Sequence, residues 1–203
     1  IGSIADYLEH AVRDFGPRQA FVSGATGVAI TYNELDVLSR QVSAYFQSVI
    51  GLPKGARVAL MMPNILQYPI CLFGLLRAGY VVANVNPLYT PRELEHQLKD
   101  SGAEAIIVLE QFAHTVESVI AKTSVKHVVT TGVADMMPFA KRVIGNFQVR
   151  NVKKMVPPYS LPGKVEFRTM LSRGAGAMFT KVSISSGDLA FLQYTGGTTG
   201  VSK

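Results

Sequence analysis

The sequence predicts an α/β fold, an open and mainly parallel sheet flanked by helices, and three observations carry that prediction. Short apolar runs of strand length alternate with segments of helical period through the first 130 residues. Those runs lack the polar alternation of a strand with one solvated face, so they suit strands buried on both faces. Two Thr-x-x-Glu boxes stand where helices should start. Strand and helix in alternation require crossover connections, which place helices on the faces of a parallel sheet.

The elements follow in order. In Thr31-Tyr32-Asn33-Glu34 the threonine hydroxyl accepts from the Glu34 amide while the Glu34 carboxylate reaches back to the cap amide, which starts a helix. Leu35, Leu38, Val42, Tyr45, Phe46 and Val49 recur at spacings of three and four, and Gly51 with Pro53 ends the run. Residues 57–62, bounded by Gly55 and Pro63, read as a buried strand, and residues 64–77 as a helix apolar nearly all round. Residues 80–85 form the next strand. Thr90-Pro91-Arg92-Glu93 is the second box, strengthened by Pro91 at the first helical position, and its helix runs to Ser101-Gly102. A strand at 105–109, a helix at 112–121 and a strand at 126–130 complete this part.

Composition excludes several classes. Among 203 residues, 48% are hydrophobic and 17% charged, which is incompatible with a disordered chain. The single cysteine, Cys71, cannot form an internal disulfide and lies in an apolar helix as a core thiol. The apolar stretch 65–85 is interrupted by Pro69, Arg77 and two glycines, so it reads as helix then strand and not as a membrane span. His10, His96, His114 and His127 match no metal-ligand spacing, and no metal site is assigned to them. Glu93 is occupied by its capping box, so Glu93 and Glu95 are not read as an acid-base pair.

The formal net charge of +6 is unevenly placed. Residues 1–100 hold 8 basic and 8 acidic side chains, whereas residues 136–181 alone hold 9 basic ones against the lone Glu166. Prolines 138, 157, 158 and 162 with several glycines make this basic stretch read as an irregular excursion with only a weak amphipathic signal. The expected organisation is therefore an α/β part at 1–135, the basic excursion at 136–181, and a strand with its loop at 182–203. Two readings of the excursion stay open: a solvated loop, or an electrostatic contact with anionic lipid through Lys141, Arg142, Arg150, Lys153 and Lys154. Nucleic acid is not expected, because no recognition helix or aromatic stacking platform is present.

A buried strand at 188–194 leads into Tyr194-Thr195-Gly196-Gly197-Thr198-Thr199-Gly200-Val201-Ser202-Lys203. Glycines let backbone amides approach an oxyanion, threonine hydroxyls add donors and lysine adds a cation, so the loop suits a polyphosphate. The spacing fits neither the Walker pattern nor GxGxxG, and a plain glycine turn is the competing reading.

This loop resembles the phosphate loop of the adenylate-forming superfamily, and its two glycines after Tyr-Thr resemble bacterial long-chain fatty acyl-CoA synthetases. Residues Val58-Ala59-Leu60-Met61-Met62-Pro63-Asn64, Leu75-Leu76-Arg77-Ala78-Gly79 and Asn84 through Leu94 agree with that family. The resemblance implies an incomplete N-terminal domain of a two-step ligase: a fatty acid carboxylate attacks ATP to give an acyl-adenylate, which coenzyme A then captures. It implies that Thr195, Gly196, Gly197, Thr198, Thr199, Gly200 and Lys203 hold the β- and γ-phosphates. It also implies that the catalytic groups and the Mg2+ ligands lie downstream, so that none is expected in residues 1–203 and the piece alone is inactive. A cytoplasmic protein, peripheral on the inner face of the membrane and in some relatives dimeric, is the corresponding expectation. A medium-chain or aromatic acid is the near alternative substrate, and a non-catalytic lipid or membrane-surface module the alternative of another class.

Overall fold

The first two helices are each set by a side-chain cap. In this computed structural model, which describes residues 2–194, Ser3 accepts from the Asp6 amide and the Asp6 carboxylate returns to the cap amide, opening α1 (Ile4–Phe15). This third capping box precedes the first predicted element and sets a helix that the apolar pattern did not mark. A two-stranded antiparallel hairpin follows, β1 (Gln19–Val22) and β2 (Ala29–Thr31). Thr31 then caps α2 (Tyr32–Ala44) as expected, and a π-helical turn, Tyr45–Val49, closes onto the Tyr45 carbonyl before Gly51 takes a φ of +71°. The helix α3 (Gln67–Arg77) begins three residues later than the Pro63-Asn64 pair suggested, after a turn in which the Tyr68 amide donates to the Ile65 carbonyl.

The chain divides into two units. One comprises the residues up to 56 with 64–81 and 168–190; the other comprises 57–63, 82–167 and the strand that follows residue 190. In the first unit α2 and α3 approach closely at Gly74. A Cβ there would meet the Val42 Cβ at 2.6 Å and the Ser39 carbonyl oxygen at 2.8 Å, and the Ser43 hydroxyl donates to the Gly74 carbonyl at 2.6 Å. The helix α7 (Phe167–Ala175) closes on the same helix, since a Cβ on Gly174 would lie 1.9 Å from the Gln41 carbonyl oxygen. Arg77, its side chain 1% exposed, donates to the Ser39 hydroxyl and the Asp36 carbonyl and forms ion pairs with Asp36 and Glu9. Burial works against the Asp36 carboxylate, but hydrogen bonds from Arg40 and Arg77 outweigh it and hold its carboxyl below the usual range.

The second unit is built on a six-stranded sheet. Its strands are β3 (Arg57–Met61), β4 (Val81–Asn84), β5 (Ala105–Leu109), β6 (His127–Thr131), β7 (Val165–Glu166) and β8 (Phe191–Gln193). They are ordered β7-β6-β5-β3-β4-β8. The pairings β3·β5, β5·β6, β6·β7 and β4·β8 are parallel. Ala59, Met61, Ile106, Val108 and Val128 pack against Leu94 and Leu98 of α4 (Pro91–Ser101) and against Val116 and Val119 of α5 (Ala113–Ile120). Thr90 and Glu93 form the expected capping box, and Gly102, at φ +61°, ends α4 in the left-handed conformation. All five residues of β5 are buried, as the unbroken apolar run required.

Two expectations are corrected. The strand expected at 188–194 is only three residues long and half-buried. Asp188 is held in a turn by the Ser185 amide at 2.7 Å and the Lys54 ammonium at 2.8 Å, so the extended run starts later, and β8 has one strand neighbour among the described residues. The stretch 136–181, read as irregular, contains α6 (Phe139–Phe147), a π-helical turn at Gln148–Val152, β7 and α7. The π turn adds a residue to the helical cycle, so a single helical period drawn across 139–156 smears a pattern that is sharp over α6 itself.

Replacing Gly74 by alanine should destabilise the protein by about 1–3 kcal/mol, because neither the Ser39 backbone nor the β-branched Val42 can withdraw without parting α2 from α3. Urea unfolding of the variant against the parent checks this; an unchanged midpoint would refute the close approach.

Candidate functional site

The residues assigned to the phosphate loop, Thr195, Gly196, Gly197, Thr198, Thr199, Gly200 and Lys203, lie outside the described residues. What is described is the strand that delivers them. β8 runs parallel to β4 with Val82 opposite Phe191, Ala83 opposite Leu192 and Asn84 opposite Gln193. The chain therefore leaves β8 towards the carboxyl side of the sheet, which is where open α/β sheets bind their ligands.

The strand end is secured by side chains. The Asn84 amide donates to Gln193 Oε1 at 3.0 Å, and the buried Gln97 of α4 donates to the Asn84 carbonyl at 2.7 Å. Tyr194, the last described residue, donates its phenolic hydroxyl to Asp100 at 2.5 Å. Burial, together with that hydrogen bond and the Asp100 charge, pushes the Tyr194 phenol up to about 12. The β4–α4 connection is equally fixed: Asn86 Oδ1 accepts from the Leu88 amide at 3.0 Å, and the Thr90 cap follows. The strand that leads to residue 195 is thus anchored at its carboxyl end.

The second group of candidates, the basic side chains, is not one cluster. Lys141, Lys153 and Lys154 are exposed, and Arg142 is half-buried with its guanidinium 5.2 Å from the centre of the Phe139 ring. Arg150 differs. It pairs at 2.7 Å with Glu110, a carboxylate 3% exposed at the carboxyl end of β5. Burial pushes the Glu110 carboxyl up despite that cation, with Asp135 and Glu166 adding to the effect. Beside this pair Asp135 accepts from the Thr131 hydroxyl, the Gly132 amide and the Asn146 amide at 2.7–3.0 Å, and Asn146 accepts from the Ala134 amide. Sequence reading missed both networks, since nothing local links Glu110 to Arg150 or Asp135 to Asn146. Cys71 is fully buried, and burial pushes its thiol well up, consistent with a packing role.

A mainly parallel sheet with helices packed on it, its last strand anchored at the carboxyl edge, defines an open α/β domain, and comparison gives the particular kind. Residues 8–203 match the AMP-binding enzyme family, and the chain belongs to that family. It is 53% identical over 201 residues to a long-chain-fatty-acid–CoA ligase of Salmonella typhimurium, covering 99% of this chain and 36% of that protein. It is 54% identical over the same length to a protein of the same name from Haemophilus influenzae, covering 99% and 35%. The chain therefore spans about a third of the length of these relatives. Among solved structures, a long-chain-fatty-acid-CoA ligase from Archaeoglobus fulgidus superposes with a TM-score of 0.72 at 23% identity, over 98% of this chain and 35% of that one. That likeness shows the fold.

Converting Asp100 to asparagine removes the carboxylate charge that disfavours the tyrosinate, so the Tyr194 phenol should titrate closer to the ordinary value of about 10. Ultraviolet pH titration against a Tyr194→Phe control reads the change; an unmoved transition would show that Asp100 does not contact Tyr194 in solution.

Proposed function

We propose that the protein to which these residues belong activates a long-chain fatty acid with ATP and passes the acyl group to coenzyme A. The observation that carries this reading is identity above one half, along 99% of the chain, to proteins bearing that name. In the first step a carboxylate oxygen attacks the α-phosphorus, the bond to the β-phosphate breaks and pyrophosphate leaves. In the second, the coenzyme A thiol attacks the acyl carbonyl and AMP leaves with the mixed-anhydride oxygen.

The role assigned to this part of the protein is electrostatic. Negative charge accumulates on the departing pyrophosphate, so amides of Gly196, Gly197 and Gly200, hydroxyls of Thr195, Thr198 and Thr199 and the Lys203 ammonium, held beyond an anchored β8, would stabilise the transition state more than the ground state. Mg2+ would supply further charge neutralisation at the phosphates. Among the described residues no three His, Cys, Asp or Glu side chains form a group able to hold a metal ion. The excess positive charge of residues 136–181 supports a second element of the reading, a contact with an anionic membrane surface from which an apolar acid is drawn.

In the complete protein, Thr198→Ala and Thr199→Ala should each lower fatty-acid-dependent ATP–pyrophosphate exchange by roughly a hundredfold, as loss of one preorganised donor does elsewhere, while fatty acid binding is retained. Exchange kinetics and equilibrium binding of a fluorescent fatty acid separate the two effects. Unchanged exchange in both variants would remove the loop from the mechanism.

A further inference from the structure

An amphipathic helix on a folded protein ordinarily turns its apolar stripe inward. The helix α6 does the reverse. Phe139, Val143 and Phe147 recur every four residues with Ile144 beside them, and all four are exposed, Phe139 by 73% and Phe147 by 58%. Val152, the last residue of the π turn, and Met155 beyond it are also exposed and extend the apolar surface. The flank of the helix that is packed carries polar and small residues instead. Asn146 is buried in the Asp135 network, Gly145 lies so close to Ala134 that a Cβ would meet its Cβ at 2.9 Å, and Arg150 is locked to Glu110.

Exposing two phenylalanines on one helix face is unfavourable in water alone, and contiguous apolar surface of this kind marks a contact face. Its chemistry follows from the rim. Lys141, Lys153 and Lys154 are exposed around the apolar stripe, and no acidic residue occurs between Asp135 and Glu166. A second copy of the same face would bring these lysines against one another. A smooth stripe of Phe, Val and Ile framed by flexible lysines suits a surface that is apolar in depth and anionic on top.

We propose that α6 and the turn after it lie flat in the headgroup region of an anionic bilayer, with Phe139, Val143, Ile144, Phe147 and Val152 entering the acyl boundary and Lys141, Lys153 and Lys154 on the phosphates. This rests on the reading of residues 136–181 as the membrane-facing part and assigns that contact to one helix face. It removes Arg150 from the contact and gives it the task of holding α6 in orientation.

The test is co-sedimentation of the complete protein with phosphatidylcholine vesicles containing phosphatidylglycerol, compared with phosphatidylcholine alone. Binding should require the anionic lipid and weaken with added salt. The Val143→Asp/Phe147→Asp double variant should lose at least tenfold in partitioning, and Lys153→Gln/Lys154→Gln roughly tenfold, with thermal unfolding in buffer unchanged because these side chains are exposed. Vesicle binding unaffected by the aspartates overturns the proposal. So does a drop in their unfolding temperature, which would show that the rest of the chain covers the face, or a loss of dimer mass by light scattering, which would show that a second copy does. The readout is independent of turnover. A protein that binds vesicles without activating a fatty acid removes the ligase reading alone, and an active ligase indifferent to vesicles removes this one alone.

Discussion

Parallel pairing of strands that are apolar on both faces is the constraint from which the second unit follows. β3, β5 and β6 contribute the runs Val58 to Met61, Ala105 to Leu109 and Val128 to Thr131, almost every member of which is buried. A parallel ladder cannot be closed by a hairpin, so each strand must be followed by a crossover, and the crossovers supply the helices that keep water from the sheet. The carboxyl ends of the strands then gather along one edge, which is where open α/β sheets in general bind their ligands. Asn84, Glu110, Thr131 and Gln193 are strand-end or strand-following residues of that edge. Placement of the glycine-threonine segment beyond β8 is thus a consequence of how the sheet is wound, and Gln193 and Tyr194 fix its point of departure through Asn84 and Asp100.

The first unit is organised differently, around close backbone approach. Gly74 and Gly174 both meet α2, at Val42 and Gln41 respectively, and no side chain larger than hydrogen fits at either point. With helices this near, the guanidinium of Arg77 is sealed from solvent and must be matched by Asp36, Glu9 and Ser39. Breaking such a matched set by removing one partner leaves a charge in a medium that cannot solvate it, which is why buried arginines occur with company. The polar seat of α6 obeys the same rule. Asp135 receives three donors and Glu110 receives Arg150, so the packed side of α6 and of the turn after it is made of polar contacts while the apolar side is exposed.

Legibility in the sequence tracks the range of the interaction. Thr31-x-x-Glu34 and Thr90-x-x-Glu93 are contained within four residues, and both helices start where those boxes place them. The strand at 105–109 was readable to the residue because its five apolar side chains have no other use. The Ser3-x-x-Asp6 box carried the same kind of signal for α1 and went unread, since the apolar pattern around it is thin. Across 139–156 the helical period was misleading, because an i to i+5 turn shifts the phase where a uniform spacing was assumed.

The sequence by itself determined the alternation of strand and helix, the starts of the helices that follow the two Thr-x-x-Glu boxes, the concentration of positive charge in one stretch and the donor-rich composition of the glycine-threonine segment. Each of these depends on neighbours along the chain or on composition. Tertiary structure alone decided which strand lies beside which, so that residues 191–193 join the strand at 81–84 and not one nearer in sequence. It alone separated Arg150, spent on Glu110 forty residues away, from the free lysines beside it, and turned the apolar side of α6 outward. The physical reason is that a charge or an apolar side chain has no fixed role until the dielectric and the partners around it are known, and those are assembled by contacts between residues remote in sequence.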